Sequence, residues 1–326
     1  MNTNTMATFK SKRDGLLKFE ISTVELSTRE RKGSGCFGEV HKVLVNGIPR
    51  IAKRLLNILL DQDIIPQERE GIQERFYNEC QLLSKLDHPN VVEFIGIHFS
   101  QVDHSDVTLI MECLHMDLEK FMKCSTDIPL SIKLSILLDV SFGLTYLHTQ
   151  LEEPLIHRDL TSGNILLTED LRAKIADLGV SKLLKHYPNN TTIHTKCPGT
   201  LSYMPPEALC ENPRYNTSLD IFSFGQLSLY IVSQQFPFVF NATHDPKVAF
   251  AIQSGEVEIL RREKWITMLP KDHCLRNVIL QCLQDEPCRR PPTKDLNCTM
   301  KTLCVIHPKT LDDAVSVWAG EARVSC

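Results

Sequence analysis

The spacing of apolar residues changes character about a third of the way along the chain. Before Leu114 the apolar runs are short and partly alternate, as strands with one buried face do. Residues 39–45 read Glu-Val-His-Lys-Val-Leu-Val, and Asn46 and Gly47 follow them. Both of these tolerate positive φ, so the pair predicts a hairpin turn. The strand after the turn carries Ile51 and Lys53. In residues 66–86 the rhythm shifts: Phe76, Cys80, Leu83 and Leu86 recur every three or four positions. That spacing predicts a helix, which His88, Pro89 and Asn90 end. The runs 91–99 and 107–112 predict two more strands around a polar loop, and the polar, mixed residues 1–25 predict a loosely held N-terminal extension.

Beyond Leu114 the helical period takes over. Residues 131–148 place Ile132, Leu134, Ile136, Leu137, Val140, Leu144 and Leu147 at helical spacing. Ser218 is placed to cap a helix over 219–233, apolar on most faces and therefore expected inside the core. Further helices are expected to about Cys304, and the tail 306–326 has no clear pattern. A strand-rich beginning and a helix-rich remainder predict an α+β fold with two lobes and a cleft between them.

Size and charge narrow the function. The 326 residues suffice for one large domain in two lobes or for two small domains. A hydrophobic fraction of 42% with 23% charged residues fits a soluble globular protein. A net charge of −4 gives no one-sign field of the kind nucleic acid or a membrane surface would need, so no nucleic-acid partner is expected. The chain has 12 cysteines but no C-x-x-C pair, which sets aside a zinc ribbon or a thioredoxin-like motif. Free thiols in a reducing compartment fit better than disulfides, so a cytoplasmic location is expected. The first residues lack the apolar core of a secretory signal, and no run of eighteen apolar residues predicts a membrane span. Nothing in the sequence fixes an oligomeric state.

The chemistry concentrates in residues 157–164, His-Arg-Asp-Leu-Thr-Ser-Gly-Asn, and in Asp177, Leu178 and Gly179 thirteen residues later. Asp159 can accept a proton from a hydroxyl. Asn164 and Asp177 are hard oxygen ligands suited to Mg²⁺. Such a set serves phosphoryl transfer, where a protein mainly positions reactants and neutralises charge. Gly33, Ser34, Gly35, Cys36, Phe37 and Gly38 form a glycine-rich loop whose backbone N–H groups can approach phosphate oxygens. It runs into a strand and the Asn-Gly turn, where a dinucleotide fingerprint would run into a helix. That context favours a loop folded over ATP phosphates. Lys53, on the next strand, can reach phosphates as a point charge. Glu79, on the predicted helix, can pair with it, although Glu68, Glu70 and Glu74 share that segment.

In this order, the glycine loop, Lys53, Glu79, residues 157–164, residues 177–179 and Met204-Pro205-Pro206-Glu207 resemble the motif set of eukaryotic protein kinases. The resemblance covers about residues 26–305. It implies a small antiparallel β-sheet lobe with one long helix over 26–113, a larger mainly helical lobe over 114–305, and a C-terminal tail over 306–326. It implies ATP and Mg²⁺ as cofactors and a protein hydroxyl as acceptor. By the same resemblance Asp159 is the catalytic base, Asn164 and Asp177 hold Mg²⁺, Lys53 positions phosphates, and Glu79 is the helix glutamate that holds Lys53. Val40 and Leu166 enclose adenine, Met111 is the gatekeeper, and Glu112, Cys113 and Leu114 are the hinge. Glu207 with Arg290 resembles a structural ion pair, and Asp220 a support for the catalytic loop. Arg158 and Lys182 resemble a basic pocket for a phosphate on one threonine, Thr191, Thr192 or Thr195, in a segment that also offers Tyr187.

Specificity is read from two features. Pro198-Gly199-Thr200-Leu201-Ser202-Tyr203 resembles the pattern of serine/threonine kinases, with Thr200 expected to bond Asp159. Thr161 stands where most of those carry a lysine, and no arginine replaces it before Asn164. The combination resembles the tyrosine-kinase-like group, whose members mostly modify serine and threonine. Tyrosine or dual specificity is the alternative. Leu178 for the usual Phe is a mild change, whereas Ile51 for a small residue and Lys32 for an apolar one bear on ATP affinity. A pseudokinase scaffold is therefore the second reading.

Overall fold

The computed structural model describes residues 14–21, 31–35, 38–54, 66–99, 107–125, 127–179, 181–183, 201–209, 216–235, 267 and 269–310. Asn46 and Gly47 take φ of 52° and 75°, the paired positive values of a type I′ turn. They close strand β2 (Gly38–Val45) onto β3 (Ile48–Arg54), and β1 (Arg31–Gly35) pairs with β2 on its other side. With β4 (Phe94–Phe99) and β5 (Val107–Glu112) they form a five-stranded antiparallel sheet in the order β1-β2-β3-β5-β4. β4 begins three residues later than the apolar run suggested.

Two compact units divide the chain, Met1–Leu114 with Asp177–Gly179, and His115–Ala176 with Val180–Cys326. In the first unit the sheet register aligns Val40 with Lys53 and Lys53 with Leu109, and Ile51 with Met111. Alternation places those residues on one face. The opposite face buries Val43, Val45, Ala52 and Ile110, against which Ile21 and Ile95 pack. Helix α1 (Pro66–Leu83) ends three residues before the expected Leu86, because Lys85 and Leu86 donate to Leu82 and Leu83 in a tight turn. Its inward positions Phe76, Cys80 and Leu83 are all buried. The expectation of a loose extension fails for residues 14–21. Leu16 is buried and Ile21 bonds to β4.

The second unit is built around α3 (Leu130–Thr149), which packs on α6 (Thr293–Ile306), on β9 (Ala173–Ile175), on β7 (Leu155–Ile156) and on α4 (Ser218–Ser233). By length and composition α3 is apolar enough to cross a membrane, yet it forms the centre of this core. Its one buried acid is satisfied. Asp139 accepts from Arg172 Nε and Nη2 at 2.9 and 2.7 Å and from the Ala173 N–H at 2.9 Å. Short strands β6 (Met116–Asp117), β8 (Ile165–Leu167) and β9 form a second sheet, and β10 (Lys182–Leu183) pairs with β7. Asp117 also caps α2 (Leu118–Cys124) by accepting from the Lys120 N–H.

Residues 219–231 of α4 are all buried, as expected from its apolar faces. Its cap differs from expectation. Ser218 lies inside the helix, and Asn216 Oδ1 accepts both the Ser218 N–H and its hydroxyl. The asparagine oxygen reaches the N–H two residues on, so the turn residue before the helix supplies the cap. Gly225 sits where α4 meets α5 (Arg276–Cys282); a Cβ there would lie 2.8 Å from Cys282 Cβ and from Leu283 Cδ2. Gly225→Ala should therefore destabilise the second unit by about 1–3 kcal/mol despite a better helix propensity. Chemical denaturation checks this, and an unchanged or raised midpoint would show that the interface has slack.

Candidate active site

Among the described residues of the first unit, charge is buried around Lys53. Lys53 is 7% exposed, and its Nζ donates to Glu79 Oε1 and Oε2 at 2.8 and 3.0 Å and to Asp177 Oδ1 at 3.1 Å. Strand β3 supplies the lysine and α1 the glutamate, on the helix face that also buries Phe76 and Leu83. Of the glutamate side chains described in that segment, Glu79 is the one shown bonding Lys53. Burial alone would lower the lysine's pKa; Glu79 and then Asp177 outweigh it and hold Lys53 above the usual lysine range. Burial raises the Glu79 carboxyl, and the Lys53 ammonium opposes that rise. Burial, with the adjacent Glu79 charge, also pushes the Cys80 thiol up, which makes it a packing residue rather than a nucleophile.

Asp177 has a φ of 60°, a left-handed conformation that costs a non-glycine residue about 1–3 kcal/mol. The Gly179 N–H donates to its Oδ1 at 3.3 Å in an Asx-type turn, and Leu178 beside it is 1% exposed. Leucine thus fills an apolar slot at this position. The glycine-rich segment forms the β1 and β2 hairpin, with Gly33 opposite Val40, Ser34 opposite Glu39 and Gly35 opposite Gly38. Cys36 and Phe37 lie outside the described residues. Met111 and Glu112 end β5; Cys113 follows, half-buried, and Glu112 Oε1 accepts from the Glu93 N–H at 2.7 Å.

The second unit holds the other cluster. A 3₁₀ turn over Ser162–Asn164 brings Asn164 back to Asp159. Its Nδ2 donates to the Asp159 carbonyl at 2.8 Å and to Asp159 Oδ2 at 2.9 Å. That spends the amide nitrogen and leaves the amide oxygen, the atom able to ligate a cation, for other use. His157 is fully buried. Its Nε2 donates to the Ala176 carbonyl at 2.9 Å, and its Nδ1 accepts from the Asp159 N–H at 3.3 Å, which fixes the tautomer. Arg158 adopts φ of 73°. Asp220, fully buried on α4, holds that strained backbone by accepting from the His157 and Arg158 N–H groups at 2.8 and 2.9 Å.

His148 of α3 completes the support, its Nε2 lying 2.7 Å from Asp220 Oδ2. Sequence reading missed it, since a lone histidine at the end of an apolar helix gives no signal of a partner so far along the chain. Ser162 and Tyr203, whose hydroxyls lie 3.1 Å apart, were also missed; burial pushes the Tyr203 phenol up to about 12. Arg290 Nη2 donates to Glu207 Oε2 at 2.9 Å, the ion pair expected of those positions. Leu166 lies in β8, where it pairs with Lys174. Lys182 lies in β10 with its side chain outside the described residues, as are Tyr187, Thr191, Thr192, Thr195 and Thr200.

Each unit thus holds a polar cluster, a clamped lysine on the sheet in the first and an Asp bonded to an Asn on a strained loop in the second. The family model described as protein tyrosine and serine/threonine kinase matches residues 26–300, and the chain belongs to that family. Its sheet unit and helical unit are the lobes of the α+β kinase fold. The Arabidopsis thaliana serine/threonine-protein kinase VIK is 31% identical over 86% of this chain and 60% of its own length. Probable serine/threonine-protein kinase kinX of Dictyostelium discoideum is 30% identical over 83% of this chain and 23% of its own. The calmodulin-binding receptor-like cytoplasmic kinase 3 of Arabidopsis thaliana is 31% identical over 68% and 43%. The chain thus spans less than two thirds of each of these relatives.

Asp220 sets a prediction. Burial opposes its ionisation, but the hydrogen bond and charge of His148, with His157 and the Arg158 N–H, hold its carboxyl below the usual range. A depressed carboxyl contributes stability that is present above its unfolded pKa and lost as pH falls through the folded value. Asp220→Asn should cost about 3 kcal/mol at neutral pH, and the gap to wild type should close in acid. Urea midpoints at a series of pH values check this. A gap that widens in acid would contradict it.

Proposed function

We propose that the chain is an ATP-dependent protein kinase that transfers the γ-phosphoryl group to serine or threonine hydroxyls of proteins. The observation that carries this reading is the buried Lys53 ammonium shared between Glu79 and Asp177, at 2.8 to 3.1 Å. Family membership and the serine/threonine kinases among the relatives support it. Lys53, held by Glu79, positions the phosphates as a point charge. The glycine-rich hairpin of β1 and β2 lends them backbone N–H groups, and Val40, Met111, Glu112 and Cys113 line the adenine side of the sheet unit.

Asn164 gives its amide nitrogen to Asp159 and keeps its amide oxygen for a hard cation such as Mg²⁺, and the Asp177 carboxylate is a hard oxygen donor of the same kind. Bound Mg²⁺ supplies charge neutralisation on the phosphate oxygens. Asp159 orients the acceptor hydroxyl and takes its proton as the new P–O bond forms and the bond to the β-phosphate breaks, with ADP leaving. Asn164 fixes the Asp159 carboxylate for that task by its hydrogen bond to Oδ2. A cytoplasmic setting agrees with the free thiols among the described residues.

Incubation of the purified chain with Mg²⁺, γ-labelled ATP and a mixed peptide library should label serine and threonine. Asp159→Asn should lower the rate by a factor of about 10²–10⁴ while leaving the fold intact by circular dichroism. Label confined to tyrosine would overturn the acceptor class. No label in wild type, with Asp159→Asn indistinguishable from it, would overturn the enzyme reading in favour of a scaffold.

A further inference from the structure

Helix α4 holds the loop 157–164 at its front end, where Asp220 accepts from the His157 and Arg158 N–H groups at 2.8 and 2.9 Å. The rear end of the loop is the 3₁₀ turn Ser162–Asn164, in which the Asn164 N–H donates to the Thr161 carbonyl at 3.1 Å. Asn164 reaches back five positions to the Asp159 carboxylate at 2.9 Å, so that bond needs the turn to keep its place. Helix α2 packs on the same turn.

Tyr203 gives the rear end its own hold. It closes the 3₁₀ turn Leu201–Tyr203, which packs on α4. The Ser223 hydroxyl of α4 donates to the Tyr203 carbonyl at 2.9 Å, and the Tyr203 hydroxyl lies 3.1 Å from the Ser162 hydroxyl. Two hydrogen bonds thus lead from α4 through Tyr203 to the turn. Ser162, Tyr203 and Ser223 are all buried, so water does not compete for these groups. The phenol stands near the chemistry without entering it. Burial pushes it up to about 12 against the bonds from Ser162, and the Glu119 and Asp159 charges add to the rise. It therefore stays a neutral hydroxyl at neutral pH. An apolar pair of the same shape would fill this space as well, and what the two hydroxyls add is direction.

We propose that the Ser162–Tyr203 hydroxyl pair is the rear anchor of the loop, which fixes the turn so that Asn164 keeps its bond to Asp159 and a steady amide oxygen for Mg²⁺. The effect on rate rests on the kinase reading above. Ser162 and Tyr203 act through Asn164, so they are positioning residues rather than catalytic ones. With Asp220 at the front and Tyr203 at the rear, α4 holds both ends of the stretch that carries Asp159.

Tyr203→Phe, Ser162→Ala and the double variant test this. In each, the Mg²⁺ concentration for half-maximal rate should rise about tenfold and kcat should fall about tenfold, short of the 10²-fold that a displacement of about 1 Å can cost. Loss of folded protein alone would lower the rate without moving the Mg²⁺ requirement. The double variant should match the more affected single one, because both changes remove the same bond. A second measurement needs no turnover. In metal-free protein the Asn164 and Ala176 amides, which donate to the Thr161 and Asn164 carbonyls, should exchange with deuterium faster than in wild type, with circular dichroism unchanged. Should Ser162→Ala fail to fold, Tyr203→Phe decides alone, since it removes one oxygen and adds no volume. Either a wild-type Mg²⁺ requirement or wild-type exchange in Tyr203→Phe would overturn the anchor, as would multiplicative effects in the double variant. If wild type transfers no phosphate while exchange at Asn164 quickens in the variants, the anchor stands and the kinase reading falls.

Discussion

An ammonium that is 7% exposed exists only beside counter-charges, and at Lys53 that requirement organises its surroundings. Strand β3 must bring the lysine, α1 must bring Glu79, and Asp177 must adopt a left-handed turn to complete the set. Removing one partner from such a buried pair costs about 3–5 kcal/mol, because the remaining charge is left uncompensated. The hairpin at Asn46 and Gly47, the β5 register and the helix packing of Phe76 and Leu83 all serve that placement.

A second constraint of the same kind governs the helical unit. Asp220 has no exposure and faces two backbone N–H groups and a histidine. Its charge holds Arg158 in a conformation the backbone would otherwise avoid, and that turn sets Asp159 next to Asn164. In both units, then, a buried charge on a regular element fixes an irregular stretch that carries the chemistry. Rigid helices and strands supply the precision, and the loops supply the reactive groups.

Local features were legible in the sequence. Asn46 with Gly47 announced a hairpin because only a few residues accept two positive φ values in succession. The apolar periods found α1, α3 and α4 to within a few residues. Motif order singled out Glu79 among neighbouring glutamates, Asp220 as a loop support and Glu207 with Arg290 as a pair. What stayed hidden depends on partners far apart in the chain. Asp139 meets Arg172 across 33 positions, and His148 meets Asp220 across 72. Residues 14–21 have no period at all, since backbone bonds hold them, and those do not show as a hydrophobic pattern. The cap at α4 was assigned to Ser218 because serine is a common cap, while the preceding Asn216 had the shorter route to the open N–H.

The central claim is that the charge cluster around Lys53 is a phosphate cradle. Nucleotide binding by wild type and by Lys53→Met tests it most directly, followed as thermal stability against Mg²⁺-ATP concentration. Wild type should gain about 2.7 kcal/mol at a hundredfold excess over Kd, and Lys53→Met should gain far less at the same concentration. No stabilisation of wild type, or an equal gain in the variant, would contradict the account.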